Sequence, residues 1–257
     1  AYLVDVARGE GEPWPLPRYA LFVVFFPHLI AGPIVHHREL IPQFASGART
    51  ARLGDLAIGL SIFTIGLAKK VLVADSFALI ASPVFNAAAQ GAQPGLLDAW
   101  AAAVAYALQI YFDFSAYSDM AIGLGRMFGI QMPINFASPY RSLSIVEFWR
   151  RWHITLSRFL RDYLYIPLGG NRPGPARRYF NVFVTMLLGG IWHGAGFTFI
   201  LWGALHGLLI VVCQLWRASR FHVPLPAALA WLLTIATVIL AWVPFRAADL
   251  DTAGRIY

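Results

Sequence analysis

The chain has 257 residues, 58% of them hydrophobic and 13% charged, with a net charge of +7. A soluble domain carries about a quarter charged residues, so the composition argues against a water-soluble fold, a large all-helical soluble core included. The single cysteine, Cys213, excludes an internal disulfide and any cysteine-rich zinc pattern, and reads as a small core or lipid-facing residue. In a membrane chain the positive charge belongs to cytoplasmic loops rather than to nucleic-acid binding.

Residues 1–18 are polar and proline-rich and read as a loop. They open without a methionine or a signal sequence, and the last residues enter a new polar stretch, so the sequence reads as an internal portion of a longer chain. Residues 19–35 are the first predicted span, with Pro27 and Pro33 placed to bend or break it. "HHRELIPQF" is a polar exit. Residues 54–73 form a second predicted span, its end carrying Lys69 and Lys70 to snorkel toward the headgroups. Residues 76–95 mix short apolar pieces with Pro83, Pro94 and glycines, which suggests a short interfacial or re-entrant segment. Residues 96–115 are a further span, and "YSDMAIGLGRMFGI" continues as a shorter helix.

From Arg150 to Arg178 there are seven arginines and one acidic residue, Asp162. The positive-inside rule places this stretch on the cytoplasmic side, and residues 143–178 are read as a cytoplasmic interfacial helix and loop. At about 100° per residue, Trp149, Trp152, Leu156, Phe159, Leu160 and Tyr163 share one face, with His153 at its edge. Arg150, Arg151, Arg158 and Arg161 fall opposite, beside Glu147. An aromatic face with a basic back predicts a helix lying in the membrane interface, and "PLGGNRPGP" ends it as a loop. Three apolar runs follow: 179–201, broken by His193; 197–216, broken by His206; and 224–245, without charge. A bilayer core takes about 20 apolar residues of helix, and these runs meet that length.

"GGIWHGAGF" sets His193 among four glycines. Two readings stand: a neutral histidine bonded to a neighbouring helix, or a base shielded from bulk water that takes a proton from a hydroxyl or thiol. Gly189, Gly190, Gly194 and Gly196 weaken the helix and let backbone or substrate approach closely, and are taken as room for a substrate. Trp192 is placed to wall a pocket. His153 is either an interfacial ring among tryptophans or the lining of the cytoplasmic mouth of the same cavity. The nearby arginines, Arg150 and Arg151 among them, serve in larger part lipid headgroups and topology, and also suit an anionic donor with phosphates.

Asp113 and Asp119 lie in or near a membrane run, where carboxylates are functional candidates. Six residues apart on one helix, they occupy separate faces and cannot act as a close pair. Pairing with Arg126 or a lysine is the structural alternative. His206 reads as structural. His28, His36 and His37 are near in sequence, but "HHREL" lacks the spacing of a zinc protease. There is no GxSxG, P-loop, GxGxxG or CxxC, so serine-hydrolase, nucleotide and flavin chemistry lack support.

"QIYFDFSAYSDMAIGLGRMFGI", "EFWRRWHITLSRFLRDYLYIPLGGNR" and "IWHGAGFTFILWGALHG" resemble the membrane-bound O-acyltransferase family, above all its branch that acetylates alginate in bacteria. "AYLVDVARGE" and "FFPHLIAGPIVHHRELIPQF" are similar to the same branch, and the resemblance runs in order over nearly the whole chain. It implies an all-α, multi-span transmembrane bundle around a central cavity or tunnel, residues 1–257 forming a single domain of this type, incomplete at both ends. It implies that His193 is the essential catalytic residue and His153 the family's other recurring polar site residue. Trp192, Trp149, Arg150, Arg151, Asp113 and Asp119 are the candidate substrate-binding residues around them. No metal and no bound cofactor are implied. The donor would be acetyl-CoA or a similar acyl thioester, and the acceptor a hydroxyl. The implied setting is a bacterial inner membrane, with a periplasmic or secreted partner that passes acetyl groups to an exopolysaccharide within a polysaccharide synthesis complex. Within the family, D-alanyl transfer to teichoic acid is the rival. Outside it, the rivals are a proton-coupled transporter and a scaffold that tolerates loss of His193.

Overall fold

A computed structural model describes residues 1–10, 13–29, 32–45, 52–172, 174–221 and 223–257. The protein is 76% helical, with no strand among the described residues, as an apolar chain must be when backbone polar groups have to be satisfied inside each segment. Among the described residues, three helices are long and apolar enough to cross a membrane: Leu53–Ala89, Phe197–Ala218 and Ala227–Arg246.

The N-terminal stretch is not simply a loop. It contains α1 (Tyr2–Ala7), and α2 (Leu16–Val24) begins on a proline-led first turn. The predicted first span is not one helix. α2 ends at Val24, Phe25 is extended, and a single tight turn covers Phe26–His28. Pro27 has no N–H to continue the helical ladder and its ring crowds the preceding turn, so the α-helix stops short of it. Residues 30–31 of that run lie outside the described residues. α3 (His37–Ala45) follows.

The second span does not end at its lysines. α4 (Leu53–Ala68) passes through a π-helical turn, Lys69–Ala74, into α5 (Asp75–Ala89), and the whole is continuous over 37 residues. The expected short segment after residue 76 is therefore helix, and Pro83 lies within it. The helix stops where Gly91 takes φ +97°. There the amides of Gly91 and Ala92 bond back to the carbonyls of Ala88 and Ala87, closing a Schellman turn. α6 (Leu96–Met127) is likewise one helix of 32 residues, about 48 Å long, rather than a span plus a shorter piece. No glycine or proline interrupts it before Gly123.

α4 and α6 run antiparallel and close together. A Cβ on Gly59 would lie 2.6 Å from the Gly123 carbonyl oxygen, and one on Gly66 2.8 Å from that of Ala116. Small residues permit such backbone approach between apolar helices. The seam carries three ion pairs: Arg126–Asp55 and Lys69–Asp119, each 2.7 Å, and Lys70–Asp113, 2.6 Å. The extra residue of the π turn brings the adjacent Lys69 and Lys70 to two different carboxylates of α6.

The predicted amphipathic helix is broken in two. α7 (Ile145–Arg151) is capped by Ser144, whose Oγ accepts from the Glu147 amide at 3.2 Å. Trp152 is extended, His153 takes φ +43°, and α8 (Ile154–Leu160) begins afresh. A π turn, Arg161–Tyr165, completes the segment. The cause is burial. Trp149, Trp152 and Leu156 are buried in the protein, and the two tryptophans join Phe148, Trp202 and Trp242 in one aromatic core. Of the loop "PLGGNRPGP", residue 173 lies outside the described residues.

α9 (Pro175–His193) and α10 (Phe197–Ala218) form a hairpin; α11 (Ala227–Arg246) and α12 (Leu250–Ile256) complete the described chain. A Cβ on Gly190 would meet the Phe199 carbonyl oxygen at 2.3 Å and the Cα of Gly203 at 3.0 Å. The bare backbones of α9 and α10 therefore touch there. The glycines around His193 do not all leave room for a substrate: at Gly190 the space is filled by α10, and at Gly194 by the Phe199 ring.

Candidate active site

His193 is the last residue of α9, where Gly194 turns the chain out of the helix. Its ring meets Trp202 edge to face, with centroids 5.0 Å apart, Phe245 at 5.2 Å, and its neighbour Trp192 at 5.1 Å. The side chain is only partly covered. Neither ring nitrogen has a hydrogen-bond partner among the described residues. Every other described histidine has one: His28 with the Phe22 carbonyl, His36 with Tyr163, His37 with Asp5, His153 with Asn135 and His206 with Trp149. His222 lies outside the described residues.

His153 is held very differently. It sits in the break between α7 and α8, outside the spanning helices, and is 5% exposed. Its Nδ1 lies 3.0 Å from Asn135 Oδ1, which also accepts from the Thr155 hydroxyl at 2.9 Å and amide at 3.3 Å. Asn135 in turn donates from Nδ2 to Ser118 at 3.2 Å. An acceptor oxygen at Nδ1 places the His153 proton on that nitrogen and leaves the Nε2 lone pair free. Phe114 stands edge-on to the ring at 4.7 Å. Burial, and to a lesser degree charge on His193, push His153 down to about 3.

The remaining sequence-selected residues divide by place. Trp149 is buried and donates its indole N–H to His206 Nδ1 at 3.2 Å. His206 is fully buried beside Trp202, its Nε2 without a partner among the described residues. Trp192 is 62% exposed, so the wall of the His193 site is built more by Trp202 and Phe245. Arg150 is exposed. Arg151 is tied to Glu147 at 2.8 Å and to the Ala137 carbonyl at 3.3 Å. Asp113 and Asp119 belong to the α4–α6 seam, each bonded to its own lysine. Sequence reasoning missed Asn135, Trp202 and Phe245. Trp202 stands nine residues beyond His193 in the same quoted motif and becomes its neighbour only through the hairpin. Asn135, in the loop "MPINF", has no local signal at all.

A second cluster lies at the N-terminal corner. Asp5, His36 and His37 bring potential ligand atoms within 4.8 Å of one another. Their hydrogen bonds do not suit a metal. His37 Nδ1 accepts from the Trp14 indole at 3.0 Å, and His36 Nδ1 from the Arg38 amide at 3.2 Å. Each imidazole thus carries its proton on Nε2, directed at Asp5 or at the Tyr163 hydroxyl. A ligating histidine would need that lone pair, and would donate from its other nitrogen. The His37 and Tyr163 bonds to Asp5 outweigh the opposing effect of burial and hold its carboxyl below the usual range; burial and His37 lower His36. His28 stands apart from this cluster, bonded to the Phe22 carbonyl.

The sequence pattern of the membrane-bound O-acyltransferase family matches residues 3–245. A peptidoglycan O-acetyltransferase of Helicobacter pylori is 52% identical over 93% of this chain and 45% of its own length. A protein of Pseudomonas putida named "Probable alginate O-acetylase AlgI" is 48% identical over the whole chain and 52% of its own length. A teichoic acid D-alanyltransferase of Streptococcus thermophilus is 27% identical over 95% of the chain and 64% of its own length. The chain spans about half the length of the two more similar relatives.

Proposed function

The chain belongs to the membrane-bound O-acyltransferase family, and from that premise we propose that it carries the acyl-transfer centre of a membrane O-acetyltransferase with His193 as general base. A single observation carries the reading. His193 is the one described histidine whose ring nitrogens are both uncommitted, in a chain where the others are bonded. In the proposed step His193 takes the proton from an acceptor hydroxyl. The oxygen attacks the thioester carbonyl, the C–S bond breaks, and the proton passes to the departing thiolate. The aromatic walls keep bulk water away, which strengthens the interactions in the site. His153 is proposed to stand on the same reaction path, its Nδ1 bonded to Asn135 and its Nε2 lone pair free. Its fixed tautomer suits it to accept a hydrogen bond from the acceptor or from the thiol, rather than to donate to the oxyanion.

The donor is proposed to be acetyl-CoA or a similar thioester arriving from the arginine-bearing face, taken as cytoplasmic, where Arg150 is exposed and Arg151 is anchored. Acetyl transfer is favoured over D-alanyl transfer because the relatives at 48–52% identity are named for acetyl transfer. Their names specify two different polymers, so the acceptor is proposed at the level of a cell-envelope polysaccharide, reached through a periplasmic partner from a multi-pass inner-membrane enzyme.

The test is transfer from radiolabelled acetyl-CoA in proteoliposomes, using the full-length protein with its partner. His193→Ala should insert into the membrane and lose transfer. Retained acetylation would sink the assignment, and solute movement without acyl transfer would support a transporter.

A further inference from the structure

Between the second half of α10 and the first half of α11 runs an apolar groove of about 410 Å³. Val212, Cys213 and Trp216 form one wall, Leu233 the other and Ile145 the floor, and Arg217 stands at one end. The groove adjoins a polar recess of about 400 Å³, which shares Ser144 and Arg217 with it and also contains Glu147, Arg150 and Arg151. Glu147, the recess's one carboxylate, is already bonded to Arg151. Arg150 and Arg217 have no ion-pair partner among the described residues. An apolar channel on two membrane-spanning helices thus ends at two uncompensated cations.

We propose that this groove binds one anionic phospholipid, an acyl chain along the α10–α11 channel and the phosphate at Arg217. Charge complementarity selects this occupant. A zwitterionic lipid brings its phosphate together with a cation of its own and so adds no net negative charge beside the two arginines, and an apolar helix of the same protein brings none. Arginine presents a planar fork suited to phosphate oxygens, and anionic lipids of the cytoplasmic leaflet supply that group on the face where positive charge collects. The proposal does not rest on the acyl-transfer reading, because Arg217 and the groove walls play no part in it.

Cys213 lines the groove and is the chain's only cysteine, which makes it a built-in reporter. In the full-length protein, with any cysteine outside this region replaced by serine, the maleimide alkylation rate of Cys213 is followed at constant detergent. Phosphatidylglycerol should slow it and phosphatidylcholine should not. Arg217→Gln should raise the phosphatidylglycerol concentration for half-protection by about fivefold, the contribution of one arginine near an anionic surface. Leu233→Trp, which fills the channel from an exposed position, should abolish lipid protection with the arginines intact. Equal protection by both lipids would overturn the proposal, as would no protection by either. So would a Cys213 unreactive without lipid, which would mean that another segment of the protein occupies the groove.

Discussion

The α4–α6 pair and the α9–α10 hairpin both place ionisable side chains on apolar helices, and they treat them in opposite ways. Along the α4–α6 seam every cation has a carboxylate: Arg126 with Asp55, Lys69 with Asp119, and Lys70 with Asp113. In the hairpin His193 is surrounded by aromatic rings and has no polar partner among the described residues. Both pairs of helices use glycine to approach closely, so close packing does not separate them. What separates them is whether the polar group is satisfied from within. A satisfied ion pair holds two helices in register; an unsatisfied imidazole at a partly open position is available to a ligand.

That contrast can be broken at either end. The largest effect is expected at His193: replacement by Ala should lower acetyl transfer at least about 100-fold, the contribution of a positioned general base, with little change in thermal stability. Lys69→Leu should do the reverse. It leaves Asp119 unpaired and should cost about 1–3 kcal/mol of stability, while the double variant Lys69→Leu/Asp119→Leu should recover most of the loss. A melting curve in detergent reads both. If the Lys69 variant lost transfer without losing stability, the seam would be more than structural. Gly190→Ala should destabilise by about 1–3 kcal/mol, because its Cβ would collide with the Phe199 carbonyl. If it instead left stability intact and slowed only transfer, the glycine would serve substrate after all.

The smallest expected effect is one of pH. His36 takes up a proton less readily folded than unfolded. Its contribution is fully present above the unfolded value, about 6.5, and is lost as pH falls below it toward the lowered folded value. Asp5 adds a second loss at more acidic pH, since its carboxyl is also lowered. Melting temperature should therefore decline between pH 7 and pH 5; the buried His153, pushed down to about 3, carries the larger part of that decline, and His36→Gln should remove only the smaller share that is its own.

Much of the helix inventory was legible along the chain, because apolar length and the absence of charge act locally. The runs around residues 54–73, 96–115, 197–216 and 224–245 are helical, whereas the run 179–201 is helical only to His193 and breaks at residues 194–196 before α10 begins. The failures have specific causes. Pro27 ended the first run early, whereas Pro83 did not end α5. Lys69 and Lys70 looked like a helix end because their carboxylates on α6, Asp119 and Asp113, lie more than forty residues away. The segment after Ser144 looked interfacial because an aromatic face is the same pattern whether it meets lipid or a protein core. His193 stood out within its own motif, but Asn135, which sets the His153 tautomer, carried no signal in its loop.

The sequence by itself determined that this is an apolar, helical chain with a basic segment and two conspicuous histidines. Those properties follow from transfer of side chains out of water and from short-range periodicity, which any local window contains. Only the tertiary structure decided which polar groups are satisfied. Hydrogen bonds and ion pairs form between residues distant in sequence, as Asn135 does with His153 and Lys69 with Asp119, and the folded packing leaves His193 without such a partner among the described residues.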